Sequence, residues 1–220
     1  MRDGERTSLN EIERFAPMEI ERRSFEIITQ ESEGRIPEDD RAMIIKRVIH
    51  TSADFDYIDN LCFSENAVSK AKDALRKGAW IVTDTTMALS GINKKSLKKA
   101  GGEACCFIGD EDVAEEAGRL GVTRASVCVD KAARLGRPLI YAVGNAPTAL
   151  IRLYELIEQG IFQPELIIGV PVGFVNVVQS KELIMQTDVP YIVARGRKGG
   201  SNVAAAICNA LLYQLDGSRG

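Results

Sequence analysis

The fold is decided by a stretch in the second half of the chain, LIYAVGNAPTALIRLYELI, which covers residues 139–157. It begins with five apolar residues without polar alternation, the pattern of a parallel strand that is covered on both faces. Residues 144–148 then form a turn, and apolar residues recur after it at helical spacing as far as Gly160. This succession of strand, loop and helix is typical of α/β proteins.

The same succession extends along the chain in both directions. Six segments have the composition of short strands: 61–63, 79–83, 104–108, 139–143, 166–170 and 191–194. Because strands and helices alternate about six times, we predict an α/β fold with a single domain. Its architecture should be a three-layer α/β/α sandwich with a mostly parallel sheet. We expect this domain to span residues 17–220, preceded by a polar lead-in at residues 1–16.

Helices are predicted from apolar spacing and from residues that start or stop helices. The main ones are expected at 17–34, 37–49, 64–78, 110–121, 123–135, 150–160, 176–185 and from 201 onward. Pro37 and the three acidic residues after it suit a first helical turn. Ser64 and Asp110 are predicted to cap the helices that follow them. The basic segment 94–100 is expected to be an exposed face.

Composition excludes several classes of function. The 220 residues carry a formal net charge of −3, which argues against a general nucleic-acid binder because such proteins need a basic face. No apolar run approaches the ~18 residues of a membrane helix. The start of the chain has no apolar signal-peptide core, so we expect a soluble, cytoplasmic protein without membrane or nucleic-acid partners.

The five cysteines show no Cys-x-x-Cys spacing, and the chain has one histidine. A structural zinc site is therefore not expected, and we predict no metal site. Most of the thiols lie in apolar runs, where cysteine packs as a small hydrophobic residue.

The single histidine, His50, falls where the apolar stripe of the helix predicted at 37–49 ends. One interpretation is a core histidine that is satisfied by a backbone carbonyl. The other is a proton donor at the mouth of a pocket, with Thr51, Ser52 and Asp54 available to orient the ring. The local sequence leaves both interpretations open.

Four loops after predicted strands are built to hold a ligand: 83–86, 144–147, 170–173 and 196–201. In α/β sheets, ligands bind at the carboxyl ends of strands, where glycines allow close approach and helix N-termini attract anions. The last loop is the most basic, with Arg195, Arg197 and Lys198. The chain lacks three common motifs of such loops: the Walker A motif, the Gly-x-Gly-x-x-Gly fingerprint after a strand, and the Gly-x-Ser-x-Gly nucleophile elbow. Each loop alone is ordinary turn chemistry, but together they predict a carboxylate or phosphate ligand.

Seven segments, in order, carry a resemblance to a known family. They are Arg22-Arg23-Ser24-Phe25, Arg47-Val48-Ile49-His50-Thr51, Thr83-Asp84-Thr85, Gly121-Val122-Thr123-Arg124, Gly144-Asn145-Ala146-Pro147-Thr148-Ala149-Leu150, Gly169-Val170-Pro171-Val172-Gly173-Phe174-Val175 and Gly196-Arg197-Lys198-Gly199-Gly200-Ser201. The chain resembles the precorrin-8X methylmutase family, including its cobalt-precorrin-8 form, from about Glu19 to Leu211. One departure is Gly102, where the family pattern suggests asparagine.

The resemblance implies methyl migration from C-11 to C-12 of a contracted tetrapyrrole in cobalamin biosynthesis, without a cofactor, by a homodimer. It implies that His50 is catalytic and that Ser24 and Arg124 contact the substrate. Ser24 has an alternative interpretation as a small packing residue or one that bonds back to its own helix. Because the corrinoid substrate bears many carboxylates, we assign further contacts to the loop residues Thr85, Gly144, Asn145, Arg197, Gly199, Gly200 and Ser201.

Two other classes of function use the same loops. A non-enzymatic tetrapyrrole carrier would bind the ring without needing His50, and it would leave the absorption spectrum of the ring unconverted. A nucleotide-binding protein would use the loop from Arg195 to Ser201, and a thermal-shift comparison of nucleotides with corrinoids would reveal it.

Overall fold

A computed structural model describes residues 14–217, except for the side chains of Pro17 and Met18. The strands are β1 (Leu61–Phe63), β2 (Trp80–Thr83), β3 (Ala104–Cys105), β4 (Leu139–Val143), β5 (Leu166–Gly169) and β6 (Tyr191–Ala194). The helices are α1 (Pro17–Glu31), α2 (Ala42–Ser52), α3 (Tyr57–Asn60), α4 (Ala67–Arg76), α5 (Thr86–Gly91), α6 (Lys94–Lys99), α7 (Glu111–Leu120), α8 (Arg124–Ala133), α9 (Pro147–Glu158), α10 (Val177–Ile184) and α11 (Ser201–Asp216). Most of the expected lead-in, residues 1–13, lies outside the described residues.

One six-stranded sheet has the order β1-β6-β5-β4-β2-β3, and all neighbours are parallel except β1 and β6. Alternate residues of β4 face opposite layers. Ile140 and Ala142 pack into the layer that contains α2, α4 and α11, whereas Tyr141 and Val143 pack into the layer that contains α8, α9 and α10. The predicted single-domain α/β fold, with helices on both faces of a mostly parallel sheet, is confirmed.

The antiparallel direction of β1 determines where the preceding segment lies. Leu61, the first residue of β1, pairs with Ala194, the last residue of β6. The turn between α2 and β1 therefore lies at the edge where the parallel strands end. Since α2 also packs along α11, the end of α2 lies on the side of the sheet where ligands bind in this class of fold.

Three predicted helix starts are wrong, and one of them is that of α9, which begins at Pro147 instead of residue 150. Helix α2 begins at Ala42 instead of residue 37 because the Asp39 carboxylate accepts a hydrogen bond from the backbone N–H of Arg41 and pairs with its guanidinium, which stabilises a turn. Helix α4 begins at Ala67 without a side-chain cap. The hydroxyl of Ser64 instead accepts the backbone N–H of Tyr191, at 2.9 Å.

Two further details around the third strand also differ from the expectation. Strand β3 has two residues and pairs only with β2, so the segment after Cys105 is a loop. Asp110 precedes α7 but makes no side-chain cap; its carboxylate accepts a hydrogen bond from Lys131 at 2.8 Å. The basic segment is the short helix α6, and its lysines are exposed as predicted. Among residues 14–217, no helix combines the length and apolarity that crossing a bilayer requires.

Candidate active site

The loops after β2 and β4 are joined by a buried carboxylate, that of Asp84. Its oxygens accept hydrogen bonds from the backbone N–H groups of Gly144, Asn145 and Ala146, each at 2.8 Å. Burial raises the pKa of Asp84, although the three N–H donors act in the opposite direction. Because Asp84 occupies these N–H groups, a ligand at this loop would meet the Asn145 side chain instead of the backbone donors.

The loop after β6 packs against the loops after β2 and β4. The hydroxyl groups of Thr85 and Ser201 lie 2.8 Å apart, and Thr85 also caps α5 by accepting the N–H of Ala88. Gly144 lies directly beneath the start of α11, where an added Cβ would be 2.7 Å from the Cα of Ser201. Glycine at this position therefore permits the approach of the two loops.

The loops after β5 and β6 are equally close. A Cβ on Gly199 would lie 2.1 Å from the carbonyl oxygen of Val170, a position that no side chain can occupy. The N–H of Gly200 donates to the same oxygen at 2.9 Å. The four loops selected from the sequence are therefore packed against one another at one edge of the sheet.

A cavity of about 480 Å³ opens between the loops after β2, β3 and β4. This volume falls within the roughly 300–1,000 Å³ that is usual for small-molecule sites. The lining comprises Asp84, Thr85, Thr86, Ile108, Thr123, Arg124, Ala125, Asn145, Ala146 and Thr148. It brings together three of the predicted contact residues, Thr85, Arg124 and Asn145.

Arg124 reaches the cavity from the first turn of α8. Thr123 fixes this turn, because its hydroxyl accepts the N–H of Ser126 at 3.2 Å and lies 2.8 Å from the hydroxyl of Thr148. The side chain of Arg124 is exposed and, among residues 14–217, has no carboxylate partner. A guanidinium at a helix N-terminus gains nothing from the helix dipole, so it is available for an anion.

The basic loop after β6 contains three cations, which differ in whether a carboxylate pairs with them. Arg195 pairs with Glu182 at 2.9 Å, and Lys198 pairs with carboxylates of the turn before β1. Arg197 has no carboxylate partner within the described part of the chain; its guanidinium lies 5.3 Å from the ring centre of Phe174, which is 79% exposed. Arg197 is therefore the cation of this loop that remains available for a ligand.

Lys198 links the loop to the segment that follows His50. Its ammonium lies 2.6 Å from the carboxylate of Asp54 and 2.5 Å from that of Asp56. The Lys198 hydrogen bond holds the pKa of Asp54 below its usual value. This bridge ties the end of α2 to the loop of Arg197.

His50 lies in the last turn of α2, and its side chain is exposed. Its ring makes an edge-to-face contact with Phe25 of α1, with the ring centres 5.5 Å apart and an interplanar angle of 78°. The neighbours expected to orient it are engaged elsewhere: Ser52 donates to the carbonyl of Val48, and Asp54 pairs with Lys198. The interpretation as a buried core histidine is therefore wrong, and the ring is oriented by an aromatic contact.

Arg47 holds Phe25 in this position. Its guanidinium lies between the rings of Phe25 and Tyr213, 5.0 and 4.7 Å from their centres, and it pairs with Glu21 at 2.5 Å. Such a sandwich fixes α1 against α2 and α11. The sequence analysis quoted Arg47 within a motif without assigning it this role.

The other residues predicted from the sequence do not line the cavity. Ser24 donates its hydroxyl to the carbonyl of Ile20 at 2.8 Å, so it bonds back to its own helix. Ser24, His50 and Arg197 are not part of the cavity lining. Gly102 is buried, and an added Cβ would lie 2.5 Å from the carbonyl oxygen of Ala79. This close approach explains why glycine, and not asparagine, occupies that position.

Besides Arg47, two buried charged residues were not selected from the sequence. Asp84 was quoted only within a loop, although an aspartate directly after an apolar strand was the available signal. Lys181 is buried on the apolar face of α10, where a lysine among Val177 and Ile184 was the corresponding signal. Among the described residues, no three His, Cys, Asp or Glu side chains converge on a common point for a metal ion.

The fold and the site define a doubly wound α/β protein with a cavity and unpaired arginines, within residues 14–217, at the carboxyl edge of its sheet, where proteins of this class bind ligands. The family model described as precorrin-8X methylmutase matches residues 19–214. The cobalt-precorrin-8 methylmutase of Salmonella typhimurium is 48% identical over 207 residues, covering 90% of this chain and 96% of the relative. The precorrin-8X methylmutase of Pseudomonas aeruginosa is 38% identical, covering 90% and 95%.

A solved structure gives the same result. The precorrin-8x methyl mutase from Thermus thermophilus superimposes with a TM-score of 0.83 at 36% identity, covering 91% of this chain and 99% of that one. The chain belongs to the precorrin-8X methylmutase family.

Proposed function

We propose that the chain is an isomerase of cobalamin biosynthesis that moves a methyl group from C-11 to C-12 of precorrin-8X or cobalt-precorrin-8. One carbon–carbon bond breaks at C-11 and one forms at C-12, so substrate and product have the same atoms and oxidation level. The reaction therefore balances without a redox cofactor. Family membership over residues 19–214 is the observation that carries this assignment.

Two arginines are proposed to hold the carboxylates at the rim of the substrate. Arg124 and Arg197 are both exposed at the carboxyl edge of the sheet, and neither is neutralised by a carboxylate among the described residues. A charge-assisted hydrogen bond of this kind contributes about 1.5–3 kcal/mol. Phe174, beside Arg197, offers an aromatic surface of the kind that packs on a flat conjugated ring.

His50 is proposed to be the catalytic residue. A methyl shift on a conjugated macrocycle is favoured when the electron distribution of the ring is biased, and protonation of, or a hydrogen bond to, a ring nitrogen does this. An imidazole is the side chain best suited to donate that proton near neutral pH. The exposure of His50 and its fixed contact with Phe25 support this role.

The other substrate contacts are proposed from the chemistry of the loop residues. Thr85, Ser201 and Asn145 present hydroxyl and amide groups at the loops, and Gly144, Gly199 and Gly200 keep the backbone compact enough for those groups to converge. To donate to the substrate, the Ser24 hydroxyl would have to give up its bond to the carbonyl of Ile20, whereas its oxygen can accept a hydrogen bond without this change.

We further propose that the cobalt-bearing ring is the better substrate, since the cobalt-precorrin-8 relative above is 48% identical and the precorrin-8X relative 38%. A homodimer is proposed from the family resemblance, and exposed apolar residues such as Val172 and Val175 support it. The cytoplasm is proposed as the location because all five cysteines are free thiols, which suits a reducing compartment.

The test is the visible spectrum of the purified protein after incubation with precorrin-8X and, separately, with its cobalt complex. Conversion to the spectrum of the rearranged ring supports the proposal. Tight binding with an unconverted spectrum would instead indicate a carrier. A thermal shift with nucleotides but not with corrinoids would indicate a nucleotide-binding protein. Sedimentation velocity of the same sample tests the dimer.

A further inference from the structure

Lys181 on α10 is fully buried, and it is the one lysine in the buried class within residues 14–217. Burying an ammonium group is costly unless polar partners replace water. No carboxylate pairs with Lys181 among the described residues. Its Nζ instead donates to two backbone carbonyl oxygens, those of Gly196 at 2.8 Å and Lys198 at 2.9 Å.

These two carbonyls flank Arg197 in the chain. The carbonyl oxygen of Arg197 itself accepts the N–H of Gly173 at 3.2 Å. The carbonyls of residues 196, 197 and 198 are therefore all held from inside the protein, two of them by Lys181. The side chain of Lys198 is also exposed but is paired with Asp54 and Asp56, so Arg197 is the cation of residues 196–198 that has no carboxylate partner among the described residues.

We propose that Lys181 is a positioning residue that fixes the backbone on both sides of Arg197 and thereby presents the Arg197 guanidinium to a carboxylate of the tetrapyrrole. This inference rests on the proposed function, because it needs an anionic macrocycle at the loop. Lys181 does not touch the substrate; it acts through the loop.

The chemistry of the ammonium explains why a lysine occupies this position. A lysine on α10 has the length to reach the loop, and its Nζ carries enough hydrogens to serve both carbonyls at once. Burial lowers the pKa of Lys181 to about 8, so the group is still mostly charged at pH 7. A methionine has a similar length and volume but no donor, so it would leave both carbonyls buried without a partner.

A double-mutant cycle of Lys181→Met and Arg197→Ala tests the inference. The probe is cobyrinic acid, a corrin with free peripheral carboxyl groups, and the readout is its dissociation constant from absorbance titration. We expect Lys181→Met to weaken binding roughly 10-fold in the wild-type background and less than about 2-fold in the Arg197→Ala background. In turnover assays KM should rise while kcat stays within about 2-fold.

Lys131→Met is the matched control, because Lys131 pairs with Asp110 and Asp112 at the surface and should leave binding unchanged. Lys181→Gln retains one amide donor and should lie between wild type and Lys181→Met. It also serves as the test variant if Lys181→Met does not fold. Equal losses of affinity from the Lys181 substitution with and without Arg197 would overturn the inference.

The outcomes also separate this inference from the proposed function. If the wild-type protein neither binds cobyrinic acid nor converts the substrate, the proposed function fails and this inference fails with it. If the wild-type protein binds and converts while Lys181→Met and Lys181→Gln bind equally well, only the role of Lys181 is wrong.

Discussion

The hydroxyl oxygens of Thr85 and Ser201 lie 2.8 Å apart, although 116 residues separate them along the chain. One follows β2 and the other begins α11, so this contact joins the first and last of the loops that form the site. Thr85 has a second role that Ser201 lacks, because it caps α5 through the N–H of Ala88.

The first prediction separates these two roles. Ser201→Ala removes only the hydroxyl contact and should lower the free energy of unfolding by about 0.5–1.5 kcal/mol. Thr85→Val removes the contact and also the cap, so it should cost about 1 kcal/mol more. Urea denaturation measures both values. Equal losses in the two variants would mean that the cap contributes nothing.

The second prediction concerns His50. Removing a general acid typically costs about 10²–10⁴ in rate, whereas the arginines that hold the carboxylates remain in place. His50→Ala and His50→Asn should therefore bind the ring and convert it that much more slowly, as measured by single-turnover absorbance. Thr51→Ala is the control from the same turn. Near wild-type turnover in both His50 variants would exclude a catalytic role.

The third prediction concerns Arg124. Because this guanidinium is exposed and has no carboxylate partner among the described residues, Arg124→Ala should leave the melting temperature nearly unchanged. Binding of cobyrinic acid should weaken roughly 10-fold. Arg119→Ala, on the exposed side of α7, should change neither quantity. A large drop in melting temperature at unchanged affinity would show that Arg124 is structural.

The fourth prediction is a pH dependence of stability. Burial lowers the pKa of Lys181 from 10.5 to about 8, so between these values the unfolded chain binds more protons at this site than the folded chain. Stability relative to Lys181→Met should therefore rise with pH from about 8 to 10.5, by up to roughly 3 kcal/mol. The neutral amine still has two hydrogens for the two carbonyls.

Urea unfolding of the wild-type protein and Lys181→Met at several pH values measures the difference between their free energies of unfolding. The contributions of the other titrating groups cancel in this difference. A difference that stays constant or falls with pH would mean that Lys181 keeps its proton in the folded protein throughout this range.

Much of the sheet could be predicted because β4 and β5 are apolar at every position and each runs into a glycine-containing loop. The direction of β1 could not be predicted, because three residues do not carry information about their partner strand. The start of α2 was misplaced for a local reason: Asp39 binds its neighbour Arg41 in a turn, although acidic residues at that position also suit a helix N-terminus.

The site was predictable as a set of loops but not as a set of contacts. Motifs selected Thr85, Arg124 and Asn145, which line one cavity. The roles of Asp84 and Lys181 depend on backbone groups of distant loops, and nothing in their neighbouring residues indicates those partners. The ring of His50 was expected to be held by its chain neighbours, yet Phe25 of a different helix holds it.

Helix α11 supplies Ser201 to the site and an almost continuous run of buried residues to the core. Its contacts with α2, α4 and α5 bring together segments made early and late in synthesis. At roughly 5–20 residues per second, a growing chain spends several seconds with the first loops exposed and α11 still unmade. A nascent chain that lacks α11 can therefore form neither the complete core nor the site, so substrate binding can begin only after this helix has emerged from the ribosome.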